Sequence, residues 1–203
     1  NLSLDEDCSS VITASQLLEG EIMTELYTVT IFTQQGQNIG NTITGQYIGQ
    51  TLKGRVKDNC TGNVCFTDIV VSDALAPTIS CQDIFVPCAV SNTDPYYLRD
   101  QLGITNAVPT VGENCGPYTL THVDNWVEIP CGQTFNGIPN LSGYIKRFWS
   151  IKDPSNNTNF CTQYVYYQRV SLYDLTLPSD ITLGCNNATS TAPTVTGAPY
   201  LLA

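Results

Sequence analysis

The sequence predicts an all-β protein made of tandem β-sandwich modules stapled by disulfides, and three observations carry that expectation. First, a phrase is written twice. Asp83-Ile84-Phe85-Val86-Pro87-Cys88 returns as Asp180-Ile181-Thr182-Leu183-Gly184-Cys185, each time after a strand-like segment headed by a cysteine, Cys65 to Val71 and Cys161 to Tyr167. A chain that closes one unit and opens the next in the same wording is a modular array. Second, short runs of alternating apolar and polar residues are separated by turn signals, as in the half-buried strands of a sandwich. Third, nine cysteines stand beside one methionine and one histidine. That usage points to an oxidising compartment and a disulfide framework.

The first module is expected over residues 1–75. Tyr27, Val29 and Ile31 alternate with Thr28 and Thr30 in a period-2 strand pattern, and Leu52 to Val56 reads as another strand. Gly36, Gly40 and Gly45 punctuate turns, and Ser15 to Glu19 makes at most one helical turn before Gly20. Ala74-Leu75-Ala76-Pro77 is a short, stiff junction, because proline fixes φ and removes a backbone donor.

The second module is expected over residues 76–173. Thr119 to Asp124 alternates as a strand, and Tyr144 to Lys152 is the clearest strand in the chain. Ile145, Arg147, Trp149 and Ile151 share one face of it, which makes Trp149 a core anchor; Arg147 is out of place there and is expected at the sheet margin, paired with a carboxylate. Asp153 to Asn157 is a turn by composition. Residues 174–203 read as the start of a third, truncated module, and no amphipathic helix is expected anywhere.

A formal charge of −10, from 18 acidic and 8 basic residues, argues against nucleic acid or an anionic membrane surface as partner. No apolar run approaches the ~20 residues of a membrane-spanning helix. Zinc is disfavoured, since Cys60 and Cys65 are the only tight cysteine pair and His122 is remote from them.

The repeat narrows the disulfide pattern without fixing it. Cys88 and Cys185 are equivalent openers, whereas Cys60 and Cys81 have no counterparts in the second copy, where Asn156 and Pro178 stand. The expected scheme therefore pairs Cys81 back to Cys60 or Cys65 and leaves the other of these for Cys8. Cys88 meets Cys161, Cys115 meets Cys131, and Cys185 is unpaired within these residues. The alternative pairs Cys81 with Cys161 and strands Cys88.

No catalytic constellation is legible. His122 lies in an alternating strand without a second histidine, and no Gly-x-Ser-x-Gly elbow occurs. Asp5, Glu6 and Asp7 read as a solvated acidic run, and Gly36 to Gly40 lacks the lysine and helix of a phosphate loop. The expectation is a non-enzyme without a cofactor. Calcium is the one ligand held open, through the loop carboxylates Asp73, Asp83 and Asp153 near unit ends. Tyr96, Tyr97, Tyr164, Tyr166, Tyr167 and Tyr173 offer either a glycan or protein platform or ordinary cross-strand packing. The weakly charged tail Pro193 to Ala203 offers a strand to a like subunit. Sequons stand at Asn59, Asn140, Asn156 and Asn187.

Several of these phrases carry a resemblance. Gly62-Asn63-Val64-Cys65, Ile69-Val70-Val71-Ser72-Asp73 and Ala76-Pro77-Thr78-Ile79-Ser80-Cys81 resemble hyalin-repeat (HYR-like) immunoglobulin-fold modules, in the version repeated in very large secreted surface proteins of Bacteroidota. Asn114-Cys115-Gly116, Arg147 to Asp153 and Cys161-Thr162-Gln163 are similar to that version too. Ser155-Asn156-Asn157 departs from it, where the family often has Cys-Gly-Asn. The resemblance implies an immunoglobulin-like sandwich in an extracellular array with a structural or adhesive role in a fibre or giant adhesin. The implied partners are neighbouring modules of the same chain, like subunits, or surface glycans.

Overall fold

The computed structural model describes residues 1–19, 23–170, 175–180, 193 and 197–201. The second copy of the repeated phrase beyond Asp180, with Cys185, and also Tyr173 and Asn187, lie outside the described residues. The strands run as β1 (Leu2–Ser3), β2 (Ser9–Val11), β3 (Tyr27–Phe32), β4 (Asn38–Gly40), β5 (Thr42–Thr44), β6 (Thr51–Asp58) and β7 (Val64–Ser72). They continue as β8 (Thr78–Ser80), β9 (Ile84–Pro87), β10 (Thr110–Gly112), β11 (Thr119–Glu128), β12 (Leu141–Lys152) and β13 (Thr158–Gln168). Two-residue strands β14 (Leu175–Thr176) and β15 (Tyr200–Leu201) follow, and the α-helices are α1 (Ala14–Leu17) and α2 (Pro95–Asp100). The protein is mostly β, as expected.

Packing groups the chain into two compact units. One holds residues 1–81, 109–123 and 148–162; the other holds 82–108, 124–147 and 163–203. Both are discontinuous in sequence, whereas the expected modules 1–75, 76–173 and 174–203 are continuous.

The first unit contains a five-stranded sheet in the order β1-β7-β6-β3-β4. β6 pairs antiparallel with both β3 and β7, and β1 runs parallel to β7, with Leu2 opposite Val71. Alternation does what the sequence suggested. Leu52 and Val56 of β6 point inward with Gly54, and Lys53 and Lys57 point out. The core gathers Leu4, Ile12, Ile31, Ile43, Leu52, Ile69 and Val71. Helix α1 is the expected single turn. Gln16 Oε1 accepts the Thr13 N–H at 2.8 Å, and the helix ends at Leu17, before Gly20. Strands β8 and β10 pair antiparallel, Val111 opposite Ile79.

A four-stranded sheet has the order β11-β12-β13-β9. β12 buries Leu141, Gly143, Ile145, Arg147, Trp149 and Ile151 on one side, so the expected face is observed. β9, the first copy of the repeated phrase, lies parallel to β13 with Ile84 opposite Val165.

The second unit centres on Ile84, Val86, Leu98, Ala107, Ile145, Val165 and Tyr167. Helix α2 overturns the expectation of no amphipathic helix. Asp94 Oδ1 accepts the Tyr97 N–H at 2.8 Å as N-cap, Pro95 opens the first turn, and Leu98 is fully buried. Arg147 has its carboxylate: Nε and Nη2 reach Asp124 Oδ1 and Oδ2 at 2.7 Å each, and Nη2 also donates to Thr93 O. Strand β15 pairs with β14 of the same chain, Leu201 opposite Leu175.

The first cysteine scheme needs correction, while the alternative that pairs Cys81 with Cys161 and strands Cys88 is the one observed. The bonds are Cys8–Cys115 and Cys81–Cys161, with Cα separations of 5.0 and 5.8 Å. Cys60, Cys65, Cys88 and Cys131 are free and exposed. The parallel register of β9 on β13 explains the second bond. Cys81 precedes Ile84 by three residues, and Cys161 precedes Val165 by four, so the two run side by side. Cys88 instead donates its N–H to Gln168 O, seven residues along β13 from Cys161. That is beyond the Cα span of ~4.4–6.8 Å that a disulfide tolerates. Cys115 and Cys131 flank β11, one uninterrupted strand of 10 residues and roughly 33 Å, not a hairpin they could staple. Cys60 sits in the β6–β7 turn, its N–H on Asp58 Oδ1 at 2.8 Å, and is not bonded to Cys81.

Candidate metal centre

Three loops of the first unit converge, each leaving the end of a strand. Asp73 follows β7, and its Oδ1 accepts the Leu75 N–H at 3.1 Å. Asp153 follows β12 and opens the turn to β13. Its Oδ1 accepts the Asn157 N–H, and its Oδ2 the Asn157 side-chain amide, both at 2.8 Å. Asn156 supplies the positive φ of +73° that this turn needs, a conformation asparagine tolerates. The Asn157 amide also donates to the Asp73 carbonyl at 3.1 Å, tying two of the loops together.

Glu113 follows β10, and its Oε1 accepts the Cys115 N–H at 2.9 Å. Its loop is fixed on both sides. Cys115 is bonded to Cys8 and Asn114 donates to Asp5 O, while Gly112 lies so close to β8 that a Cβ would stand 2.7 Å from Thr78 Oγ1.

One ligand oxygen from each of Asp73, Glu113 and Asp153 lies within 4.8 Å of the others. Asp73 is 7 % exposed and Asp153 is 4 % exposed, and Oε2 of Glu113 is fully buried without a hydrogen-bond donor. Like charges at this spacing repel by about 3 kcal/mol per pair at an effective dielectric near 20. The ion pairs among the described residues serve other carboxylates: Lys53 with Asp68, Arg99 with Asp100, Arg147 with Asp124. An all-oxygen, all-anionic set of this kind suits a hard cation.

Of the sequence candidates for calcium, then, Asp73 and Asp153 come together and Asp83 does not. Asp83 belongs to the second unit, where Oδ1 accepts the Tyr164 N–H at 2.8 Å and Oδ2 faces the Tyr166 hydroxyl at 3.4 Å. Glu113 was missed. Nothing in the local sequence joins residue 113 to residues 73 and 153; the β8–β10 pairing brings it in.

The remaining candidates have structural surroundings. His122 is half-buried, its ring 4.8 Å from that of Trp149. Asp5 Oδ1 accepts the N–H groups of Asp7 and Ser9, closing a turn. The tyrosine platform is only partly at the surface. Tyr96 and Tyr97 are exposed on α2, but Tyr166 and Tyr167 are buried. Phe135 and Asn136 cover Tyr166, and Trp126 packs edge-on to Tyr167. Burial pushes the hydroxyl pKa of both Tyr166 and Tyr167 up. Among the described residues no helix is long and apolar enough to cross a membrane. No known family model matches the chain, and no curated protein matches it.

Proposed function

We propose that this chain is a non-catalytic structural or adhesive segment of an extracellular surface protein, built from HYR-like, immunoglobulin-type modules. The observation that carries this reading is the pair of long-range disulfides, which close 107 and 80 residues of a β-rich chain. Cross-links of that reach persist in oxidising surroundings and restrict the unfolded chain most. A surface of threonine, asparagine and tyrosine with 13 % charged residues suits an exposed β array whose neighbours are modules of the same chain. The test is an antibody to this segment applied to intact and lysed source cells. Labelling of intact cells, abolished by brief external proteolysis, is expected; labelling confined to lysate, with Cys81 and Cys161 reduced, contradicts it.

A second reading, a glycan-binding module, is favoured by Tyr96 and Tyr97. They stand exposed on α2 with the Arg99 guanidinium 5.2 Å from the centre of the Tyr96 ring. Glycan-array binding that disappears in Tyr96→Ala would support it, and a blank array would reject it.

A further inference from the structure

We propose that Asp73, Glu113 and Asp153 form a calcium site that pins the three loops after β7, β10 and β12. The inference stands apart from the functional reading above and rests on two independent features. The first is convergence: carboxylates separated by 40 residues at each step present ligand oxygens within 4.8 Å of one another. The second is an unmet demand for positive charge in a buried place. Glu113 Oε2 is fully buried and receives no hydrogen bond, and the two carboxylate residues it joins, Asp73 and Asp153, are only 7 % and 4 % exposed. Buried anionic oxygens are normally satisfied by donors or by a metal.

The chemistry selects the ion. Three carboxylates with no sulfur or imidazole among them disfavour zinc and copper and favour a hard cation. Ligands on opposite sides of calcium stand up to about 5 Å apart, twice a Ca–O distance of ~2.5 Å, whereas magnesium at ~2.1 Å draws them to about 4.2 Å. Oxygens within 4.8 Å of one another lie inside the span calcium bridges, with no movement of the loops. The ligand set also leaves coordination positions for water, as an extracellular calcium site of modest affinity would. Glu113 lines a surface pocket with Glu6, Leu75, Pro77 and Gly112, which gives the ion a route from solvent.

The geometry is already braced for this role. The Asn157 side chain holds Asp153 and the Asp73 carbonyl together, and the Cys8–Cys115 bond holds the Glu113 loop. A bound ion would therefore join parts of the chain that hydrogen bonds and one disulfide have brought close but left electrically repelling.

The test is equilibrium dialysis of the EDTA-treated 203-residue chain against radioactive calcium, with thermal unfolding in parallel. One ion per chain is expected, with a Kd of order 10⁻⁴–10⁻³ M. Thermal midpoint should rise by roughly 3–10 °C at about 10 mM calcium. Glu113→Gln keeps the Oε1 acceptor for Cys115, so it should leave the fold intact by circular dichroism while weakening calcium at least about tenfold. Asp83→Asn should change nothing. No saturable uptake at about 10 mM, or uptake that survives both Glu113→Gln and Asp153→Asn, overturns the proposal.

Discussion

Replacing Asp124 with alanine exposes the energetic weak point of the second unit. The Arg147 side chain is fully buried on the inward face of β12, and Asp124 supplies both oxygens of its bidentate pair at 2.7 Å. Thr93 O, a neutral backbone acceptor, cannot neutralise a guanidinium. Removing one partner of a buried pair costs about 3–5 kcal/mol, because the surviving charge is left desolvated. Asp124 has 27 % of its side chain exposed, so water can reach the gap, and the lower end, about 3 kcal/mol, is expected. For a chain of this size that is a drop of roughly 6–12 °C in thermal midpoint. Urea unfolding followed by tryptophan fluorescence measures it, with Arg147→Met and the double variant completing a cycle. Arg147→Met alone should cost less than Asp124→Ala, since it removes the buried charge itself. A loss below about 1 kcal/mol for Asp124→Ala would refute the argument that burial of Arg147 depends on this carboxylate.

Three further outcomes follow from local geometry. A Cβ at Gly143 would stand 2.5 Å from the Trp126 ring and 2.7 Å from Val127 O, so Gly143→Ala should destabilise by about 1–3 kcal/mol or more, read by urea denaturation. Gly36→Ala meets nothing within 4 Å and should cost only its backbone strain at φ +82°. Asp58 is held below the ordinary carboxylate range by the Thr61 hydroxyl first, then by the N–H groups of Cys60 and Thr61. Its folded pKa is the lower one. The stabilisation is therefore present above the unfolded pKa and lost as pH falls through the folded value. NMR titration should find the Asp58 midpoint depressed, and Thr61→Ala should move it up; an unchanged midpoint would contradict the assignment.

What the sequence revealed and what it concealed divide along physical lines. Period-2 alternation located β3, β11 and β12, most cleanly β12, where every second residue is buried, and β6, β7 and β13 were legible as strand-like runs. The helix α2 was missed although Asp94-Pro95 is a helix-opening signal, since its six residues show too few turns for a periodic stripe. Sequence alone left Cys81 between two pairing schemes and misassigned Cys8 and Cys115, because pairing depends on which strand lies beside which. A parallel β9 on β13 puts Cys81, not Cys88, level with Cys161, and no local pattern encodes that register. The same holds for Glu113, which sequence reasoning never linked to Asp73 and Asp153. Tyr166 and Tyr167 show a different limit. Alternation sends neighbours to opposite faces, but both faces are covered here, Tyr166 by Phe135 and Tyr167 by Trp126.

The central claim is a β-rich chain tied by two long-range cross-links. Mass spectrometric mapping of the unreduced protein, alkylated while unfolded, tests it most directly. The account predicts linked peptides joining Cys8 to Cys115 and Cys81 to Cys161, with Cys60, Cys65, Cys88 and Cys131 alkylated before any reduction. Recovery of Cys88 linked to Cys161, or of Cys81 linked to Cys60 or Cys65, would contradict the β9–β13 register and the fold built on it.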